Sequence, residues 1–215
     1  MTHTGYWPWI LLALLGAYHG VNPAMGWLFA VALGLQKQRS TAVWQALAPI
    51  AVGHLIAVGV ALLVAAILGA ILPLIYVKIG VVILLVAFGT VRILGKGHLR
   101  WGGMQVGFKD LTIWSFLMAS AHGAGVMLLP VLLGMSIPSD SHTSHFHDAA
   151  FPDARLQILA LLVHTGTYLL VTGTAAWIVY TRLGLSLLRT SWFNLDRVWA
   201  IALLATAALT VFVTR

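Results

Sequence analysis

The sequence predicts an all-α integral membrane protein built from six transmembrane helices. Hydrophobic residues make up 60% of the 215 residues and charged residues only 8%, with a mean hydropathy of +0.96. A soluble domain carries about 25% charged residues, because its surface must face water. A helix that crosses the bilayer needs about 20 mostly apolar residues. Six such segments occur, at residues 8–34, 43–71, 74–94, 112–136, 156–181 and 194–213.

Composition also narrows the kinds of site and partner that the chain can have. The absence of cysteine excludes disulfides and thiolate metal sites. Basic residues in the loops between spans explain the net charge of +7, so we expect the lipid bilayer rather than nucleic acid as a partner. We expect a single membrane domain over residues 1–215. We do not expect an enzyme, because metal-dependent hydrolases generally carry a carboxylate beside their metal ligands, and no aspartate accompanies the histidines within the spans.

The distribution of basic residues predicts the orientation of the helices. Loops on the cytoplasmic side of a membrane protein carry an excess of lysine and arginine. Nine of the twelve basic residues flank the loops after helices 1, 3 and 5, and only Lys78, Arg155 and Arg215 lie on the other side. Both termini are therefore predicted to lie outside, in a multi-pass protein of the bacterial inner (plasma) membrane. The nine are Lys37, Arg39, Arg92, Lys96, Arg100, Lys109, Arg182, Arg189 and Arg197.

A repeated histidine pattern predicts two related halves, over residues 1–100 and 110–215. His19-Gly20 in helix 1 is matched by His122-Gly123 in helix 4, and His54 in helix 2 by His164 in helix 5. Three helices per half place the second half upside down relative to the first. Such inverted repeats are typical of secondary transporters.

The four repeated histidines are the candidate functional residues. At 1.5 Å per residue, each lies roughly 13–20 Å from the start of its helix, close to the middle of the bilayer. Ionisable groups within a membrane are rare and usually face the bundle interior or a cavity. Neutral imidazole binds nickel, cobalt, zinc and copper well. We therefore predict a midplane metal site formed by His19, His54, His122 and His164.

Helix 1 is predicted to bend beside this site. Pro23 cannot donate a hydrogen bond to the carbonyl of His19, so that carbonyl is expected to be freed to contact a bound cation. Asn22 lies on the same helical face as His19 and is a further candidate ligand. Polar residues near His164 either line a polar path or satisfy their own backbone. These are Thr165, Thr167, Tyr168 and Thr172.

A polar loop, within residues 139–155, falls on the predicted outer side. It carries His142, His145 and His147, together with Asp140 and Asp148. Histidine-rich tracts bind metal ions, although flexible ones bind weakly and without selectivity. The loop is either a capture site for the metal or a solvated linker.

Three functions are compatible with four buried histidines. The first is a transporter that exports a divalent transition-metal ion, with protons as the coupling ion, because each imidazole must be neutral to bind the metal. The second is a membrane electron-transfer protein in which histidine pairs ligate haem b. The third is an exporter of a small organic solute such as an amino acid. We favour the first, and the sequence leaves open whether the protein forms a homo-oligomer.

The histidine motifs resemble those of a known family. The break His19-Gly20-Val21-Asn22-Pro23, His122-Gly123 and the histidine-rich loop look like the lysine exporter (LysE) superfamily, most of all its nickel and cobalt exporters (NicO type). The resemblance covers most of the chain at the level of topology. It implies an inner-membrane cation efflux protein with two inverted three-helix halves. His19 matches the metal-site histidine of the exporters' helix-1 motif, which continues with an aspartate where this sequence has Ala24.

Overall fold

The computed structural model describes residues 5–94, 107–135, 152–183 and 195–213. Helix accounts for 92% of these residues, and no strand occurs among them, which confirms the all-α prediction. Each of the six predicted apolar segments is helical, and two of them are interrupted. The helices are α1 (Trp7–Val21), α2 (Trp27–Lys37), α3 (Ser40–Ile71), α4 (Leu74–Leu94), α5 (Phe108–Ala121), α6 (Ala124–Met135), α7 (Ala154–Ile178) and α8 (Leu195–Val213).

The first interruption separates α1 from α2. A 3₁₀ turn over Pro23–Met25 follows Asn22, whose side-chain oxygen accepts a hydrogen bond of 3.0 Å from the backbone N–H of Ala24. Gly26 then adopts a φ of +135°, a conformation that residues with a Cβ rarely reach. Proline, an asparagine cap and glycine together end one helix and begin the next within five residues.

The second interruption, between α5 and α6, is shorter. Only His122 and Gly123 lie between the two helices, and the helix axes differ by 53°. Gly123 has a φ of +67°, in the left-handed region. One glycine thus supplies the turn that the first interruption builds from several residues.

Several helices are suited to a membrane. By length and composition, α3 and the stretch Ala154–Arg182 can each cross a bilayer, and the bent pair α5 and α6 together gives a third such element. The other apolar helices identified among the described residues are shorter. The structure therefore agrees with a membrane protein in this coarser form. On α3, exposed aliphatic residues form a stripe of the kind that faces lipid, namely Ile56, Val60, Leu63, Ile67 and Ile71.

Three helix pairs make the most extensive contacts, α1 with α7, α3 with α5, and α4 with α8. Glycine brings two of these pairs close together. A Cβ added at Gly16 on α1 would lie 2.2 Å from the backbone oxygen of His164, and one at Gly53 on α3 would lie 2.3 Å from that of Thr112. Small residues at these positions allow the backbones to approach, as is common in membrane helix bundles.

Candidate functional site: a buried histidine cluster

The four predicted histidines are all buried. His19 lies in the last turn of α1, His54 near the middle of α3, His122 directly after α5, and His164 within α7. Their side chains are 0 to 1% exposed. Because four helices or helix ends contribute one imidazole each, the site depends on how the helices pack rather than on one local motif.

Three of the rings are in direct contact. The ring centroids of His19 and His164 are 4.9 Å apart, those of His54 and His164 are 5.5 Å apart, and those of His19 and His54 are 6.0 Å apart. Two imidazoles bound to one tetrahedral ion, with metal–nitrogen distances of about 2 Å, would have centroids roughly 5 Å apart. The spacing of the three rings is therefore close to that of imidazoles sharing one ion.

His122 lies beside this trio. It is buried and lies in the neighbourhood of His19. Its ring nitrogen Nδ1 donates a hydrogen bond of 2.8 Å to the backbone carbonyl of Met118, one turn earlier. The structure therefore brings all four sequence-predicted histidines into one buried region.

The hydrogen bonds of the rings define which nitrogen carries the proton. His19 Nδ1 donates to the carbonyl of Leu15 at 2.7 Å, and His164 Nδ1 points to the carbonyl of Leu12 on α1 at 3.4 Å. A carbonyl oxygen only accepts, so Nδ1 holds the hydrogen in these neutral rings. The lone pair is then on Nε2. Metal-binding histidines are commonly oriented by such a bond from the other ring nitrogen.

His54 is held differently. Among the described residues, neither of its ring nitrogens has a hydrogen-bond partner. Its ring stacks on that of Tyr168, with centroids 4.0 Å apart and planes 16° apart, and is nearly parallel to the ring of His164. Stacking rather than hydrogen bonding therefore sets the orientation of His54.

Tyr168 connects the cluster to the first helix break. Its hydroxyl donates to the backbone carbonyl of Met25 in the 3₁₀ turn, while its ring covers His54. The residue is fully buried. The sequence predicted that Tyr168 belongs to a group that either lines a polar path or satisfies its own backbone, and nothing in it predicted this link. Its spacing of four residues from His164 on α7 is the one signal that places both on the same helical face.

The remaining polar residues of α7 and α5 divide into two groups. The Thr167 hydroxyl donates to the carbonyls of Val163 and His164, so it satisfies its own helix. The Ser115 hydroxyl, which sequence reasoning missed, donates across to the carbonyl of Ile50 on α3 at 2.7 Å. In the described part of the chain the buried hydroxyl of Thr165 has no hydrogen-bond partner. Thr172, also predicted from the sequence, is likewise buried, and its hydroxyl has no hydrogen-bond partner among the described residues.

One expectation about the first break is wrong. The carbonyl of His19 is not freed by Pro23, because the backbone N–H of Asn22 donates to it at 3.2 Å. The chain leaves the helix at Asn22 and forms a tighter turn, which replaces the bond that proline cannot make. The side-chain oxygen of Asn22 is also engaged, as the cap on Ala24. The assignment of Asn22 as a metal ligand stays a prediction.

The described rings are not arranged as a complete metal-coordination site. No group of three or more histidine or aspartate side chains within residues 5–94, 107–135, 152–183 and 195–213 is arranged to hold a metal ion as it stands. The parallel stacking of His54 with His164 and Tyr168 is the visible reason, because stacked rings do not aim their nitrogens at a common point. The candidate ligands of the outer loop lie outside the described residues, namely His142, His145, His147, Asp140 and Asp148.

Comparison with protein-family models, with curated proteins and with solved structures gave no match for this chain. The likeness to the lysine exporter superfamily therefore stays a prediction based on the histidine motifs alone. The functional argument depends on the geometry of the cluster.

Proposed function

We propose that the protein is a secondary transporter of the bacterial plasma membrane that exports a divalent transition-metal ion in exchange for protons. The observation that carries the proposal is the contact of three buried imidazoles from α1, α3 and α7, with His122 beside them. Buried histidines in a membrane bundle are costly unless they serve one another or a ligand. His19, His54, His122 and His164 would be the ligands or proton exchangers.

The hydrogen bonds of the rings support metal binding. With Nδ1 donating to a carbonyl in His19, His122 and His164, the Nε2 lone pairs are the ligating atoms. Protons compete with a metal for these lone pairs, so proton entry from one side would release the ion. This competition supplies the coupling without a separate proton site.

Binding would require His54 to move. Its ring must turn out of the stack with Tyr168 before its nitrogens can join those of His19 and His164. No hydrogen bond to described residues opposes that turn. The arrangement with His54 stacked is then the ion-free state, and an ion is bound by adding one ligand to a partly formed site.

The helix contacts support two inverted halves. In two related halves, α1 and α2 would correspond to α5 and α6, α3 to α7, and α4 to α8. Exchanging the halves then replaces the contact of α1 with α7 by the contact of α5 with α3, which is also present. The contact of α4 with α8 maps onto itself. The main pairings are thus unchanged by the exchange, as a twofold pseudosymmetry requires. Six spans with both termini outside would place the cluster between the halves, where transporters bind substrate.

The contact between the rings also bears on the haem alternative. The two histidines of a haem pair lie on opposite faces of the macrocycle, so their rings are separated by its plane. Here the rings of His19, His54 and His164 contact one another in edge-on or stacked pairs. This packing supports a single small ion rather than a porphyrin between two rings.

The test is metal transport by the purified full-length chain in proteoliposomes. A proton gradient of the right direction should drive Ni²⁺, Co²⁺ or Zn²⁺ across the membrane, detected with an enclosed metal-sensitive dye. His54→Ala and His164→Ala should reduce the rate to that of empty liposomes. Thr174→Ala is the matched control, because this exposed threonine bonds only to its own helix at Leu170. Wild-type rates in both histidine variants would remove the proposal.

A further inference from the structure

Ser115 links two helices beside one of the histidines. It is 2% exposed on α5, and its hydroxyl donates to the backbone carbonyl of Ile50 on α3 at 2.7 Å. Ile50 precedes His54 by four residues, so the two lie on the same face of α3. Thr112, three residues before Ser115, instead donates to Phe108 within its own helix. The hydroxyl of Ser115 therefore acts between helices, one turn from a proposed ligand.

The residue next to His54 packs directly on the same serine. A Cβ added at Gly53 would lie 2.8 Å from the Cβ of Ser115 and 2.3 Å from the backbone oxygen of Thr112. Small residues let helix backbones approach each other in this way. A hydrogen bond depends on both distance and direction, so the bond to Ile50 adds a restraint to this packing contact. The two contacts together define how far α3 is shifted along α5.

The two helices run in the same direction from this contact. Gly53 packs on α5 at Ser115. Further along α3, the side chain of Ala61 would lie 2.4 Å from a Cβ added at Gly125, near the start of α6. Moving towards the C-terminus of α3 thus also leads towards the C-terminus of α5 and into α6. The residues that follow the contact in α3 and in α5 therefore lie on the same side of it.

The register at Ser115 sets the relative heights of two imidazoles. His54 follows Ile50 by one helical turn, and His122 follows Ser115 by seven residues, about two turns. At 1.5 Å per residue, these steps are roughly 6 Å and roughly 10 Å along the two helices. Metal–ligand distances hold to within about 0.2 Å. A shift of α3 by a fraction of a turn would therefore take His54 out of reach of an ion bound by His122.

Ser115 also lies close to the residue that covers His54. Its side chain is in the neighbourhood of the Tyr168 hydroxyl, and the ring of Tyr168 stacks on His54 with centroids 4.0 Å apart. Each of the two hydroxyls has one hydrogen. Ser115 donates its hydrogen to the carbonyl of Ile50, and Tyr168 donates to that of Met25. The two hydroxyls thus hold backbone positions around His54 rather than bonding to the imidazole itself.

We propose that Ser115 is a positioning residue of the metal site, which holds α3 against α5 in the register that allows His54 and His122 to bind the same ion. The proposal rests on the transport function proposed above and adds to it a residue that is not itself a ligand. Ser115 acts through His54, because its hydrogen bond and its packing contact lie at positions 50 and 53 of α3. A merely structural serine would stabilise the helix pair without affecting how tightly the ion binds.

The experiment measures Co(II) binding and Co(II) transport by the purified full-length chain. Ser115→Ala removes the hydroxyl and should weaken Co(II) binding about tenfold, the lower range for losing a group that orients a metal ligand. In proteoliposomes, the Co(II) concentration that gives half the maximal rate should rise by the same factor. The maximal rate itself should be retained, because all four imidazoles remain. Ser115→Cys keeps a weak donor, so its Co(II) affinity should lie between those of the alanine variant and the wild type.

The matched control is Thr112→Val, which removes a hydroxyl of the same helix that donates to Phe108 within that helix. It should bind Co(II) as the wild type does. Unchanged Co(II) affinity in both Ser115 variants, or a lower maximal rate at unchanged half-saturation, would overturn the positioning role and leave the transport function intact. Equal losses of affinity in Thr112→Val and Ser115→Ala would overturn it as well. A folded wild-type chain that binds none of Co(II), Ni(II) and Zn(II) would remove the transport function, and this proposal with it.

Discussion

The two helix breaks each follow a buried histidine, but different residues turn the chain at each of them. In each, a histidine precedes glycine, is buried, and donates from Nδ1 to the carbonyl four residues earlier. The first break uses a proline, an asparagine cap and Gly26, whereas the second turns within His122 and Gly123 alone. The position of the imidazole is therefore the shared feature, and the turn that follows it differs. The residues that form a turn can therefore differ while the histidine before it keeps the same hydrogen bond.

The sharpest test of this equivalence is to remove the imidazole at each break. If the two breaks present equivalent ligands, His19→Ala and His122→Ala should each abolish metal-dependent transport while folded protein remains in the membrane. The loss should exceed roughly a hundredfold, the upper range for losing a group that fixes a metal site. Initial rates in proteoliposomes at matched protein content measure it. Loss in His19→Ala with normal transport in His122→Ala would reduce the site to the three rings in contact.

The glycines after the two histidines should resist substitution for different reasons. A Cβ at Gly20 would lie 2.6 Å from the backbone oxygen of Tyr168, so its limit is space, whereas Gly123 has room but a φ of +67°. Gly20→Ala should destabilise by about 3 kcal/mol through overpacking, and Gly123→Ala by about 1–2 kcal/mol through strain.

Asparagine should be better tolerated than alanine at one of the two positions only. Asparagine tolerates the left-handed region, so Gly123→Asn should be milder than Gly123→Ala, while Gly20→Asn should be worse than Gly20→Ala. Thermal unfolding of the purified variants in detergent gives the ranking. If the alanine variant were the more stable one at both positions, or the asparagine variant at both, Gly20 and Gly123 would not differ in what limits substitution.

A tyrosine connects the first break to the cluster, and no such link to the second break occurs among the described residues. Tyr168→Phe keeps the ring that stacks on His54 and removes the hydroxyl that donates to Met25. The change should cost about 1 kcal/mol, the usual net value of one hydrogen bond, and leave metal affinity within about threefold, because that bond holds no ligand nitrogen. Tyr168→Leu, which removes the stack as well, should change affinity more. Equal affinities in both variants would show that stacking does not restrain His54.

The smallest expected effect is that of replacing Asn22, which tests whether this residue is a cap or a metal ligand. Asn22→Asp keeps an oxygen for the N–H of Ala24, whereas Asn22→Ala removes it and should cost about 1 kcal/mol of stability. If Asn22 only caps the turn, metal affinity should stay within about threefold in both variants, since a lost cap acts on folding. A loss of metal affinity of tenfold or more in the alanine variant would identify Asn22 as a ligand after all.

The sequence predicted the elements better than their connections. Apolar run length located all six helical segments, and the repeat of histidine identified four buried side chains, three of which are in contact. Run length says nothing about how the chain turns inside a segment, so the bond from Asn22 to the His19 carbonyl was missed. Side-chain rotation is equally invisible to periodicity. The stack of His54 on Tyr168 arises from the packing of α3 against α7, which only the three-dimensional structure shows.

The close helix contacts at two glycines group the four histidines into two pairs. At Gly16 the backbone of α1 lies close to α7, and at Gly53 that of α3 lies close to α5, so that neither position has room for a Cβ. His19 and His164 belong to the pair α1 and α7. His54 belongs to the pair α3 and α5, and His122 follows the end of α5. If each pair moved as a unit, His19 and His164 would move together, and His54 would move with His122. In the proposed transporter, an ion bound by all four imidazoles would therefore link the two helix pairs to each other.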